Sequence, residues 1–163
     1  MDLIKELEEL ALATRLKRLQ ERLAADVSRI YKESSFDFEA RWFPILALLK
    51  RQKDLSIVEI SQSLQLSHPA VVQFAEQLLK KGYIVAEKDP ADARRRILNL
   101  SETGIDLMDR LEPLLKVIKE ENKKWLVEAD VNLLQAIEQL EAALDRTSLY
   151  NRIHKALEST GRV

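Results

Sequence analysis

The side chains best suited to binding chemistry lie in the middle third of this 163-residue chain. Residues 50–101 carry nine Lys and Arg against six Asp and Glu, a local charge of +3 in a chain whose net charge is −1. The densest basic run is Arg94-Arg95-Arg96, which follows an acid at Asp92. An excess of positive charge between two acidic flanks predicts a local surface that faces an anionic partner.

The residue inventory argues against catalysis and against a bound metal or cofactor. The chain has no Cys, which excludes thiolate zinc sites, disulfides and cysteine nucleophiles. Its three glycines, Gly82, Gly104 and Gly161, are too far apart for a Gly-rich phosphate loop. The two histidines, His68 and His154, are a poor set for a transition metal, although a metal sensor built on them stays an alternative. No nucleophile–base pattern is visible, so we expect neither an enzyme nor a cofactor.

Hydropathy indicates a folded, helix-rich protein outside the membrane. Hydrophobic residues make up 46% of the chain and charged residues 33%. No apolar run approaches the roughly 18 residues that a membrane span needs. The first residues lack the apolar core of a signal peptide, so we expect a cytoplasmic location.

Long amphipathic segments frame the middle third. Apolar residues recur at helical spacing from Leu3 to Ile30 without Pro or Gly, which predicts one continuous helix roughly 42 Å long. Further stripes run over 107–125, where Pro113 is expected to introduce a kink, and over 133–144, with Asp130 near the N-cap. Helices that outgrow their own core predict a homodimer. The alternative is a helical hairpin that covers itself within one chain.

The middle third changes from helical to strand periodicity along its length. Ile57–Leu64 is a short amphipathic helix, Ser67 caps a second one, and Gly82 ends it. Tyr83–Glu87 and Arg96–Leu100 then alternate as strands around a polar, basic turn. Two helices followed by a hairpin with a basic tip predict a winged helix-turn-helix.

The predicted fold class is therefore mainly α with a small β-hairpin wing. We divide the chain into an N-terminal dimerisation helix over residues 1–35, a winged helix-turn-helix DNA-binding region over 36–101, and C-terminal dimerisation helices over 102–163. This division assigns the positive segment to the binding region and the apolar stripes to its flanks.

The segment from Leu66 to Gly104 resembles the MarR family of bacterial transcription regulators. The family's wing signature is Asp-x-Arg, five residues, then Leu-Thr-x-x-Gly. This chain has Asp92-Ala93-Arg94, five residues, then Leu100-Ser101-Glu102-Thr103-Gly104, and only Ser for Thr departs. The resemblance implies a cytoplasmic homodimer that binds palindromic double-stranded DNA, most often as a repressor, and that a small aromatic or anionic effector releases.

Several side chains are placed on DNA by this resemblance. Gln73 is the best candidate to read a base, because Gln bonds adenine bidentately. Arg94 is expected in a narrow minor groove, held by the Asp92 carboxylate. The full predicted set is Ser67, His68, Ala70, Gln73, Gln77, Asp92, Arg94, Arg95 and Arg96. The alternatives are a solvated helix face for the glutamines and a surface ion pair for Arg94; Ala70 and Val72 replace polar residues usual in the family.

Five of the nine aromatic residues fall within residues 31–43. Pro44 is expected inside the second helix of the chain, where it would introduce a kink. An aromatic cluster beside a kink predicts an effector cavity lined by Tyr31, Phe38 and Trp42, with Arg41 as counter-charge. Ordinary core packing is the alternative for the same cluster.

A protein-interaction module is the competing function. A winged-helix dimer that binds another protein would show no salt-dependent DNA binding. Substitution of Arg94 by Ala would then leave binding to its partner unchanged.

Overall fold

The computed structural model describes residues 2–89 and 96–160. The chain divides into two compact units, Met1–Arg110 and Leu111–Val163. Within the described residues, no helix is both long enough and apolar enough to cross a membrane. The division into dimerisation and DNA-binding parts stays a prediction, since compactness alone assigns no function.

The N-terminal arm is a broken helix. It consists of α1 (Leu3–Glu6), a 3-10 turn (Glu8–Ala11) and α2 (Leu12–Glu33). The prediction of one continuous helix was wrong, because Glu8 has a left-handed φ of 46° that interrupts it. Arg18 donates to the Asp2 carboxylate over 3.2 Å. In a straight helix those residues would lie about 24 Å apart, so the first turn folds back onto α2.

The next helix, α3 (Phe43–Arg51), follows a 3-10 turn at Ala40–Trp42. The prediction that Pro44 lies inside this helix and introduces a kink was wrong. Pro44 occupies the first turn of α3, where a backbone N–H has no helical partner to lose. The proline therefore sets where α3 begins.

The two helices of the predicted motif form as expected, α4 (Ile57–Leu64) and α5 (His68–Lys80). Ser56 and Glu59 form a capping box at the start of α4. Gln65 takes a left-handed φ of 51°, which ends α4 and turns the chain toward α5. Ser67 accepts from the Ala70 N–H and caps α5, as predicted.

The wing is part of a three-stranded antiparallel sheet in the order β1-β3-β2. It contains β1 (Leu55–Ser56), β2 (Ile84–Lys88) and β3 (Arg96–Leu100). In the register, Ile84 faces Leu100 and Lys88 faces Arg96. The predicted hairpin is confirmed, and the two-residue β1, which pairs with β3, was not predicted.

The core of the first unit lies between these helices and the sheet. Its largest fully buried side chains come from the 3-10 turn before α3, from α3, α4 and α5, and from both wing strands, namely Trp42, Ile45, Leu46, Ile60, Val71, Leu78, Ile84 and Leu98. Each of these elements buries one face only, which matches the helical and alternating spacing of the sequence. The mainly helical fold with a small wing is thus confirmed.

The C-terminal helices are α6 (Glu102–Glu128), α7 (Leu133–Arg146) and α8 (Leu149–Ser159). Pro113 lies inside α6, which continues past it. The predicted N-cap region at Asp130 was wrong: Asn132 caps α7 by accepting from the Gln135 N–H over 3.1 Å. Neither α7 nor α8 buries a single residue, although both carry apolar stripes.

Candidate nucleic-acid interface

Helix α5 separates an apolar face from a polar one. Val71, Ala75 and Leu78 are buried on the inner face. The predicted contact residues Ser67, His68 and Gln73 are exposed, and Ala70 is half-buried. The outer face thus presents a hydroxyl, an imidazole and an amide, all groups that hydrogen-bond bases or phosphates.

Gln77 is oriented differently from the other predicted contacts on α5. It is half-buried, and its Oε1 accepts a hydrogen bond from the Nε1 of Trp42 over 2.8 Å. The amide oxygen that adenine recognition would use therefore already has a partner in the protein. This contact spans 35 residues of sequence, and no local pattern indicated it.

Of the predicted wing residues, only Arg96 lies within the residues that the structure describes. Asp92, Arg94 and Arg95 lie outside the described residues, so their predicted roles stay predictions. Arg96 is exposed at the start of β3, directly opposite the exposed Lys88 of β2. Like charges on opposed strand residues repel, and a phosphate near both would relieve that repulsion. The sequence predicted a basic wing that includes Arg96, but it did not predict that Lys88 lies directly opposite Arg96.

Ser101, at the base of the wing, makes two hydrogen bonds to the turn after α5 and one to α6. Ser101 donates from Oγ to the Gly82 carbonyl over 2.5 Å and from its backbone N–H to the Tyr83 carbonyl over 3.1 Å. The same Oγ accepts from the Gly104 N–H over 2.9 Å, which caps α6 as predicted. The Leu-Ser-x-x-Gly segment thus joins α5, the wing and α6 at one point.

On the far side of the sheet, Asp54 and Asn99 are joined by a reciprocal pair of hydrogen bonds. The Asn99 amide donates to the Asp54 carboxylate over 2.8 Å, and the Asp54 backbone N–H donates back over 2.9 Å. Because Asn99 belongs to β3, this pair fixes the wing against the loop before β1.

The predicted effector residues come together, but as a closed aromatic stack. Tyr31, Phe38 and Trp42 are buried, with ring centroids 4.8 Å apart for the first pair and 6.1 Å for the second. Both contacts are edge-to-face, a favoured aromatic geometry. None of the three lines the cavity beside Leu49, the cavity beside Leu126 or the groove beside Arg41. The structure therefore gives the ring cluster a packing role, and effector binding stays a prediction.

Arg41 is separated from that stack and lies at the surface. It forms an ion pair with Glu39, and its guanidinium lies 5.7 Å from the ring centroid of Phe74 on α5. It also lines an open groove of about 440 Å³ together with Glu39 and residues of α2. Arg41 is thus a predicted effector residue that lines a surface groove.

Two titratable groups near the end of α5 have shifted pKa values. The hydrogen bond to the Asp37 carboxylate raises the pKa of Lys81, at an Nζ to Oδ2 distance of 2.5 Å. Burial raises the pKa of Tyr83, whose hydroxyl donates to the Asp37 backbone carbonyl. Both groups thus keep their protons, and their hydrogen bonds to Asp37, throughout the neutral range.

Two helices joined by a tight turn and followed by an antiparallel hairpin define the winged helix-turn-helix class. Residues 36–95 match the model of the MarR family. This match confirms the resemblance to the MarR family that the wing signature predicted.

Similar solved structures agree with this assignment. CouR, a transcriptional repressor bound to a 23-mer DNA duplex, is 25% identical with a TM-score of 0.64 over 85% of this chain and 96% of that one. A MarR/EmrR family transcriptional regulator from Acinetobacter sp. ADP1 is 25% identical with a TM-score of 0.65 over 86% and 99%. MOSR from M. tuberculosis, in complex with DNA, is 18% identical with a TM-score of 0.68 over 85% and 98%, and shares the fold. A search of curated proteins finds no match.

Proposed function

We propose that this chain is a sequence-specific regulator of transcription that binds double-stranded DNA as a homodimer and acts as a repressor. Two observations carry the proposal: the polar outer face of α5, which is capped at Ser67, and the exposed Lys88–Arg96 pair of the wing. A helix with exposed hydrogen-bonding groups fits the major groove, and a basic hairpin fits the flanking backbone. The DNA bound in the CouR structure supports the same use of the fold.

Within this proposal α5 is the recognition helix. Gln73 reads a base, while Ser67 and His68 lie at the helix N-terminus, where phosphate contacts set the register of the protein on the duplex. Ala70 offers its methyl group to a thymine methyl. Among the wing arginines, Arg94 enters the minor groove beside Asp92, and Arg95 and Arg96 contact the backbone.

The homodimer is supported by apolar side chains that neither unit covers. On α2, Leu12 and Leu16 are each more than half exposed, at 53% and 52%. On α7, Leu134 and Leu140 are exposed by 60% and 57%, in a helix that buries nothing. Contiguous apolar stripes of this kind mark association surfaces. Two-fold symmetry then implies a palindromic operator with half-sites roughly one helical turn apart.

A small aromatic or anionic effector modulates the regulator in this proposal. Its binding at Tyr31, Phe38 and Trp42 requires the ring contacts to open, and Arg41 must exchange Glu39 for the anion. Added aromatic acids are expected to change both the melting temperature and the DNA affinity. If a panel of such acids changes neither, these residues form core only.

The test is selection of bound duplexes from fragmented genomic DNA at two salt concentrations, followed by sequencing. We expect one palindromic site. Its affinity should fall with salt at a log–log slope of about −5 to −7, if each subunit neutralises about three or four phosphates. Arg94→Ala should weaken binding and reduce the slope. Arg29→Ala is the matched control, because that exposed arginine pairs with Glu33 on α2 and is not among the predicted DNA contacts.

The outcomes separate the two candidate functions. Salt-sensitive binding to many fragments without a shared site would contradict sequence specificity, while the DNA-binding part of the proposal would stand. An intact dimer that binds no DNA at low salt contradicts the regulator and favours the protein-interaction module.

A regulator of this kind works where bacterial DNA lies, in the cytoplasm.

A further inference from the structure

The segment between α2 and α3, residues 34–42, contacts α5 and the turn after it at several points. We name this segment the connector. Trp42 donates to Gln77 over 2.8 Å, and Arg41 lies over the Phe74 ring. Asp37 accepts from the Lys81 ammonium over 2.5 Å and, through its backbone carbonyl, from the Tyr83 hydroxyl over 2.9 Å. The C-terminal half of α5 and the turn that follows it are thus held, from Phe74 through Tyr83.

The contacts continue in the other direction into α2. Tyr31, near the end of α2, packs edge-to-face on Phe38, which packs on Trp42, which in turn contacts Tyr83 at a centroid distance of 6.4 Å. The Phe36 N–H also donates to the Tyr31 carbonyl over 2.9 Å. A continuous path of packed rings therefore joins the long N-terminal helix to the start of the wing.

The hydrogen bond between Trp42 and Gln77 is the contact in this path that fixes the position of α5. Trp42 is only 2% exposed, and its indole N–H needs an acceptor when buried. Gln77 provides that acceptor from one specific position along α5. Ring packing alone tolerates sliding and rotation, whereas a hydrogen bond fixes distance and direction.

We infer that the connector sets the orientation of α5 relative to α2, and that Gln77 is a positioning residue with its amide turned to Trp42 and not to a base. The inference deepens the proposed function and rests on it, since orientation matters here because α5 enters a groove. It replaces the predicted base-contact role of Gln77. Base readout on the polar face of α5 is then left to Gln73.

The test compares Trp42→Phe, Gln77→Met and the double variant on the duplex recovered by selection. Each single variant is expected to weaken binding about three- to tenfold, the scale of one hydrogen bond. The DNA affinity of the double variant should be no lower than that of the single variant that binds less tightly, because both changes remove the same hydrogen bond. Gln52→Met, the same replacement at an exposed site after α3, is the matched control and should bind like wild type.

Repeating the selection with Gln77→Met separates positioning from base reading. Loss of positioning weakens the same palindrome without a new preference at any base. A relaxed preference at one position per half-site assigns Gln77 to a base and overturns the inference. Additive losses in the double variant overturn it as well, because they show two independent contacts.

A spectroscopic readout makes the result independent of DNA. In a Trp125→Phe background Trp42 is the only tryptophan, and Gln77→Met is expected to change its emission because the indole N–H loses its acceptor. Unchanged emission shows that the bond does not form in solution and overturns the inference. If wild-type protein binds no duplex, the proposed function fails, while emission and thermal unfolding still decide whether connector and helix are coupled.

Discussion

Replacement of Gly104 by Ala tests how tightly the wing, α5 and α6 are joined. Gly104 is the third residue of α6, and helix propensity alone predicts that Ala there stabilises the protein by about 0.5–1 kcal/mol. The structure predicts the opposite sign. A Cβ at this position would lie 1.9 Å from the Tyr83 carbonyl oxygen and 2.9 Å from its carbon, both backbone atoms.

The cost follows from what has to move. The carbonyl oxygen must retreat by about 1 Å, and it is the acceptor of the Ser101 N–H at 3.1 Å. Overpacking costs about 1–3 kcal/mol, and loss of one hydrogen bond adds about 1 kcal/mol. We therefore expect Gly104→Ala to lower the free energy of unfolding by about 2–4 kcal/mol, which is a fall in Tm of about 5–15 °C for a chain of this size.

The assay is chemical and thermal unfolding at one fixed protein concentration, because association makes Tm depend on concentration. Gly82→Ala is the matched control. Its added Cβ meets nothing within 4 Å, and only the left-handed φ of 70° opposes it, at about 1–2 kcal/mol. The expected order of loss is Gly104→Ala first, then Gly82→Ala, with Gly82→Asn smallest. A Gly104→Ala protein as stable as wild type, or more stable, would refute the reasoning.

Three further predictions follow from the charges, the apolar stripes and the buried tyrosine. Lys88→Glu is expected to raise the free energy of unfolding by up to about 1 kcal/mol, because it turns a like-charge pair with Arg96 into an opposite-charge pair. The same change is expected to weaken DNA binding. If stability and DNA affinity both rise or both fall, the assignment of this pair to the DNA-binding surface is contradicted. Leu140→Glu should shift sedimentation from dimer to monomer, whereas Glu141→Lys on the same helix should not. Burial raises the pKa of Tyr31 above its ordinary 10.0, so stability is full below that pH and falls as pH rises through the folded value. Tyr31→Phe should remove that part of the alkaline loss, measured by urea unfolding as a function of pH.

Local signals in the sequence predicted most of the fold. The bounds of α4 and β3 agree with the expected ones, and the Ser67 cap, the Gly82 stop and the Ser101 cap are all present. The helix bounds and the caps depend on interactions within about four residues, where propensity and capping chemistry decide. The bounds of β3 follow the alternation of its residues, although the strand itself forms by pairing with β2 and β1. The wing signature added the resemblance to a family, and two of its residues, Ser101 and Gly104, are hydrogen-bonded at the junction of wing and α6.

The predictions that failed concern helix ends that tertiary contacts decide. The Leu3–Ile30 stripe contained no helix breaker, and the interruption at Glu8 accompanies an ion pair between Asp2 and Arg18. Pro44 fits two positions in a helical pattern, the interior or the first turn, and the structure selects the first turn. Strand β1 is only two residues long, so it exists only because β3 is there to pair with it.

The candidate site shows the same boundary between local and long-range information. By itself the sequence determined which residues are polar on the outer face of α5 and where basic residues gather at the wing, since helical and strand periods assign faces directly. Only the tertiary structure decided that Gln77 turns to Trp42, that Lys88 and Arg96 oppose each other, and that three aromatic rings close on one another. The physical reason is that these contacts join residues that the chain brings together only after its helices pack, so their partners leave no mark in local spacing.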